Sequence, residues 1–170
     1  MMEFLSRIEQ SAFSQWVLSA NTIWAYPMIL FMHTVGMALV AGISSAIDIR
    51  LLGFAPRVPV KPLERLYPLM WLGFAINLIT GGTLLIADAT TKLTNLDFYI
   101  KMGFVFGGVT LLVVIRNQVF RNPKVDEGSG LPVAKRLAFL SLVCWVGAVT
   151  CGRLLAYLGA VSGLPGLRHK

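Results

Sequence analysis

The sequence predicts an all-α fold, an integral membrane four-helix bundle preceded by a short N-terminal amphipathic helix. Three observations carry this expectation. Hydrophobic residues make up 56% of the chain's 170 and charged residues only 14%, with a mean hydropathy of +0.71; a soluble domain carries about 25% charged residues. The apolar residues gather into four runs, each near the roughly 20 residues that a bilayer core asks of a helix. Between the runs lie clusters of proline, glycine and polar residues that end helices. A chain of this length makes one domain, here placed in the lipid bilayer. Its net charge of +7 then reads as loop charge that orients the spans, not as a surface for nucleic acid.

Residues 1–21 form the interfacial segment. Glu3, Arg7 and Glu9 interrupt it, so it lacks the basic start and continuous apolar centre of a cleavable signal. Phe4, Leu5, Ile8, Phe13, Trp16 and Val17 instead outline an amphipathic helix. It lies in the membrane interface or serves as an ordered lead-in to the first span.

The four-span domain covers residues 22–161. The first span runs over 22–47 and on into Leu51 and Leu52, until Pro56, Pro59 and Pro62 break the chain. The second covers 66–87 and gives way to a short polar turn, Asp88 to Asp97. The third covers 98–115 and precedes a flexible loop at 122–132 with Pro123, Gly128, Ser129 and Gly130. The fourth covers 137–161, leaving 162–170 as a short tail. Cys144 and Cys151 share the fourth run; about 10 Å of helical rise separates them, too far for a mutual disulfide.

Orientation follows from the basic residues. The first loop carries Arg50, Arg57, Lys61 and Arg65, and the third carries Arg116, Arg121, Lys124, Lys135 and Arg136. The second has Lys92, with Lys101 just inside the next helix. Positive loops stay in the cytoplasm, so both termini are expected on the periplasmic side of a bacterial inner membrane. Arg168 and Lys170 in the tail count for less than the short loops.

Ionisable groups inside spans are costly and mark candidate sites. His33, Lys101 and Arg153 stand out. In this orientation all three fall in the outer half of the bilayer, at compatible heights. Thr150, Arg153 and Tyr157 have three- and four-residue spacings and share one stripe of the fourth helix. Tyr26, His33, Gly36, Met37 and Val40 line a stripe of the first, and Gly73, Asn77, Thr80 and Gly81 make a small, polar face on the second. These faces are expected to point inward around a common polar cavity. Structural readings compete at each position. Arg153 pairs with Asp88 or Asp97 or reaches outward, Lys101 snorkels to the interface, and His33 bonds to Asn77 or a backbone carbonyl. The glycines serve helix packing.

One deep histidine with cations above it fits a b-type haem, with imidazole on the iron and Arg or Lys on the propionates. Gly103, Phe104, Phe106, Gly107 and Gly108 on the third helix suit a flat macrocycle. Only His33 is available at membrane depth, since His169 belongs to the tail. A second axial ligand would be Met, Lys or a group from another subunit, or the iron would stay five-coordinate. Copper competes: Met28, Met32 and Met37 flank His33, thioether and imidazole suit Cu(I), and Met37, one turn on, is the better partner. No phosphate loop, nucleophile–base set or zinc spacing is present in the sequence, so no catalytic residue is assigned. Asp48 and Arg50 read as an interface pair or a helix-end interaction with the basic loop.

Several short patterns have a wider echo. They are His33-x-x-Gly36, Gly42, Asp48-Ile-Arg50-Leu-Leu-Gly53, Thr80-Gly81, Lys101-Met102, Trp145 and Gly152-Arg153-Leu-Leu-Ala-Tyr157. Together they resemble an uncharacterised family of small bacterial four-span membrane proteins, itself distantly similar to the membrane domain of copper-resistance D proteins. The resemblance implies four helices and a cofactor or electron-transfer role centred on His33, Lys101 and Arg153. The expected function is therefore a haem b-binding, cytochrome-b-like electron-transfer protein or the membrane subunit of a redox complex. Its cofactor contacts would be His33, Lys101, Arg153, Tyr157, Asn77 and Thr80. The alternatives are a copper-handling protein using His33 and Met37, and a cofactor-free structural subunit. Few residues lie outside the membrane, so a homo-oligomer or a larger membrane complex is expected.

Overall fold

A computed structural model describes residues 2–121 and 132–158, the side chains of Met2 and of residues 155–158 excepted. Most of the loop at 122–132, the last residues of the fourth span, the tail at 162–170 and the Tyr157 side chain lie outside the described residues. Every regular element among the described residues is helical.

The amphipathic segment is two helices, α1 (Met2–Glu9) and α2 (Ala12–Ser19). The break follows from Ser11, whose hydroxyl accepts from the Ser14 amide and caps a fresh helix. Leu5, Ser14 and Val17 are buried, while Phe4, Phe13 and Trp16 are exposed. Ser14 Oγ donates to the Ala87 carbonyl at 3.2 Å, occupying one of the acceptors left open where a helix ends.

Four helical spans, Tyr26–Leu52, Lys61–Ala87, Leu96–Phe120 and Pro132–Leu154, are long and apolar enough to cross a membrane. This is the architecture of a multi-pass membrane protein. The first span comprises α3 (Tyr26–Met37), a π-helical turn (Ala38–Gly42) and α4 (Ile43–Leu52), closed by Gly53 at φ 113°. That left-handed conformation suits glycine after a helix. The second is a 3-10 turn (Lys61–Leu66) followed by α5 (Tyr67–Ala87). A short helix, α6 (Ala89–Leu93), leads to the third, α7 (Leu96–Ile115) with a π turn (Arg116–Phe120). The fourth is α8 (Pro132–Leu158). The 3-10 and π turns extend the second and third spans beyond the apolar runs, because helical geometry continues into polar residues.

The first span changes partner along its length. α3 packs on α5, whereas α4, past the π turn, packs on α8; α7 also packs on α8. Close approach of α3 and α5 depends on two glycines. A Cβ on Gly36 would lie 2.8 Å from the Gly73 carbonyl oxygen, and one on Gly73 would lie 2.9 Å from that of Gly36. The α7–α8 contact works alike, with the Phe104 ring seated on Gly147 and Trp145 against Gly108.

The core occupies the half of the bundle toward the first and third loops, where Ile47, Leu51, Tyr67, Met70, Ile115, Phe120, Ala138 and Trp145 are buried together. Tyr67 donates to the Leu112 carbonyl at 3.2 Å and meets Phe120 edge-on at 5.5 Å. Arg116 closes this end, 5.4 Å above the Tyr67 ring and paired with Glu64 at 3.4 Å. The expected interface pair of Asp48 and Arg50 does not form. Arg50 turns to the carbonyls of Pro56 and Val58, and Asp48 is fully buried, because residues two apart face different sides of a helix.

Candidate functional site

The half of the bundle nearer α1, α2 and α6 is less filled. A groove of about 550 Å³ runs between the first and fourth spans, within the roughly 300–1,000 Å³ typical of ligand sites. Leu30, Trp145, Val146 and Val149 supply apolar wall, and His33, Met37, Lys101, Thr150 and Arg153 also line it. The structure thus brings together His33, Met37, Lys101 and Arg153. Among the described residues this groove lies between the first and fourth spans and not at the centre of four inward faces. Asn77 and Thr80 belong to α5, which packs against α3, and neither lines the groove.

His33 is held from behind by α5. Its Nδ1 lies 2.9 Å from Thr80 Oγ1, and Thr80 Oγ1 donates to the Ile76 carbonyl at 2.6 Å. A hydroxyl has one proton to give, and here the carbonyl takes it. The Nδ1 of His33 is therefore the donor, and in the neutral ring Nε2 keeps its lone pair on the side away from Thr80. Gly81 makes room for the imidazole: a Cβ there would lie 3.1 Å from Cε1. Asn77 has a different task. Its Nδ2 donates to the Gly73 carbonyl at 3.3 Å beside Gly36, and its Oδ1 is buried without a hydrogen-bond partner among the described residues. The alternative of a His33–Asn77 bond is not realised.

Lys101 does not snorkel outward. Its side chain is half-buried and runs along Gly152, with Cε 3.5 Å and Nζ 3.7 Å from where a Cβ would stand. Arg153 is exposed at the groove. Among the described residues no ion pair joins Arg153 to Asp88 or Asp97. Lys101 and Arg153 give the groove two cations, and no carboxylate lines it among the described residues.

The third helix contributes Lys101 but no flat bed. Phe104, Gly107 and Gly108 are engaged in packing on α8, and Phe106 is exposed. A macrocycle would rest on side chains of the first and fourth spans instead. Met37 lies one turn beyond His33 on the same groove, and the described residues hold no group of three His, Cys, Asp or Glu fit to bind a metal.

Two features escape sequence reasoning. Thr80 is the partner of His33, a fact that requires knowing which helices touch. Lys92 is more than loop charge: its Nζ donates to the Leu84 carbonyl at the end of α5, and burial lowers its pKa, opposed by the Asp88 charge. Its four-residue spacing from Asp88 was the available signal.

Beyond this geometry, no family model, curated protein or solved structure matches the chain.

Proposed function

We propose that the groove binds a b-type haem and that the protein is a membrane electron-transfer protein or the membrane subunit of a redox complex. The observation that carries this reading is the His33–Thr80–Ile76 chain of hydrogen bonds. Ligating histidines characteristically donate their other ring N–H to a fixed acceptor, which sets the tautomer and the ring plane. Here that acceptor is Thr80, leaving Nε2 free.

The remaining lining fits the same ligand. A haem is an apolar disc with two carboxylates on one edge, and the groove pairs apolar walls with Lys101 and Arg153. Such cations hold carboxylates by charge-assisted bonds. When bound, haem supplies one-electron chemistry; His33 would hold the iron, Thr80 would orient His33, and Lys101 and Arg153 would hold the propionates. Met37 shares one helix face with His33, so any further ligand to the iron would come from elsewhere, such as another copy or subunit, which favours an oligomer or larger complex. The basic loops favour a bacterial inner membrane with the groove toward the periplasmic face.

The test is an absorption spectrum of protein purified in detergent, before and after dithionite. A Soret band that shifts on reduction is expected, and His33→Ala should abolish it. Met37, on the same groove as His33, supports a second reading, a Cu(I) site. No Soret band, together with copper found by elemental analysis and lost in Met37→Leu, would replace the first reading by the second. Absence of both signals would leave a structural subunit without cofactor.

A further inference from the structure

Asp48 sits on α4 with no exposed surface, and neither carboxylate oxygen has a hydrogen-bond partner among the described residues. Around it is a buried polar layer between the first and fourth spans. Ser44 lies one turn earlier on the same helix. Its hydroxyl is 3.5 Å from that of Ser141 on α8 and accepts from Trp145 Nε1 at 2.9 Å. The charged and titratable neighbours are turned elsewhere. Tyr67, on α5, donates to Leu112; Arg116, on α7, pairs with Glu64; Arg50 binds loop carbonyls. From α8 the layer receives Ser141 and Trp145, neither of which carries charge.

A carboxylate here would be a buried charge with no counter-ion in the layer among the described residues, at a cost of several kcal/mol. A proton removes that cost and completes the bonding. The acid O–H donates to a serine hydroxyl, and the acid C=O accepts from the serine proton that Trp145 leaves uncommitted. We propose that Asp48 is a proton-binding site, a carboxylic acid held beside Ser44 and Ser141 in the buried layer between the first and fourth spans. The step is carboxylate plus hydronium giving carboxylic acid plus water: one O–H bond forms on a carboxylate oxygen as one breaks in hydronium. Trp145 joins the two regions, since its ring lines the groove while its N–H holds Ser44. Ser45, the residue after Ser44 on α4, also lines the groove. This assignment stands whatever occupies the groove above.

Infrared spectra of the full chain in liposomes at neutral pH test it. A carboxylic-acid C=O band is expected that shifts in deuterated water and shifts again when aspartate is isotopically labelled at its side-chain carboxyl. Asp48→Asn, a neutral group of the same shape, should remove the band entirely. Ser141→Ala should move it to higher wavenumber by deleting a hydrogen bond. If Asp48→Asn does not fold, the isotope label and Ser141→Ala carry the test alone. A spectrum with no aspartic-acid band at neutral pH overturns the proposal, as does a band that survives Asp48→Asn. So does a band abolished by sodium chloride but not by choline chloride, which would assign a metal cation to the site.

Discussion

The two halves of the first span make opposite use of the same helix. In α3, a glycine contact with α5 brings backbones together, and the far side of the helix is left to border a groove with a half-buried histidine. In α4, a buried carboxyl and serine meet α8 in a closed layer beneath an aromatic core. Small residues on both sides of the first contact permit backbone approach, but they leave the opposite face unfilled. At the second, Ile47, Leu51 and Trp145 fill the space around the buried polar groups. A groove and a buried polar layer thus follow from residue size on one helix, with a π turn between them. Such turns recur at functional sites.

Trp145 is where the halves meet, and its removal should have the largest effect. Trp145→Ala deletes a ring 2% exposed and the donor to Ser44; loss of about 3–5 kcal/mol is expected from aromatic truncation in a packed core, read by detergent-denaturant unfolding. Gly73→Val attacks the glycine contact instead. Its Cβ would meet the Leu39 Cβ at 2.7 Å, and overpacking of this kind costs about 1–3 kcal/mol. The same unfolding assay reports it, and a wild-type midpoint would mean that α3 and α5 are not in contact.

Smaller effects separate the groove from the scaffold. Thr80→Val removes the acceptor for His33 Nδ1 with little change in shape; if the groove binds haem as proposed, retention should fall about 10–100-fold while stability changes little, as read by spectral titration. On the same proposal, Lys101→Met should weaken retention by severalfold and leave the Soret position unchanged, since Lys101 would hold a propionate and not the iron. The smallest effect is expected from Gly42→Ala. Nothing lies within 4 Å of its added Cβ, so the unfolding midpoint should stay within about 0.5 kcal/mol of wild type.

Much of the bundle is legible in the sequence because membrane physics acts on each segment separately. Length and hydropathy give the spans, and the rise per residue gives depth, which is why His33, Lys101 and Arg153 can be placed at one height before their helices are assembled. Neighbour relations are not legible this way. Small residues occur on all four helices, so no pattern singles out α5 as the partner of α3 or Thr80 as the acceptor for His33. Asp48 was hidden by its position near a basic loop, where an ion pair is the ordinary expectation. The pairing of Ser44 with Asp48 and of Ser141 with Trp145, each four apart, reads as a shared layer only once α4 and α8 are known to touch. Phe104 and the third-span glycines misled for the same reason: a flat surface suits a neighbouring helix as readily as a cofactor.

The π turn at Ala38–Gly42 also determines where this chain tolerates a change in length. Deleting one residue from an α-helix rotates everything beyond it by about 100° and withdraws it by about 1.5 Å. Within α4 that would swing Asp48 out of its layer and toward lipid. Within the π turn the same deletion converts a wide turn to an ordinary one and leaves both flanks facing as before. A single-residue deletion at 38–42 should therefore still insert and fold, whereas one at 43–47 should not.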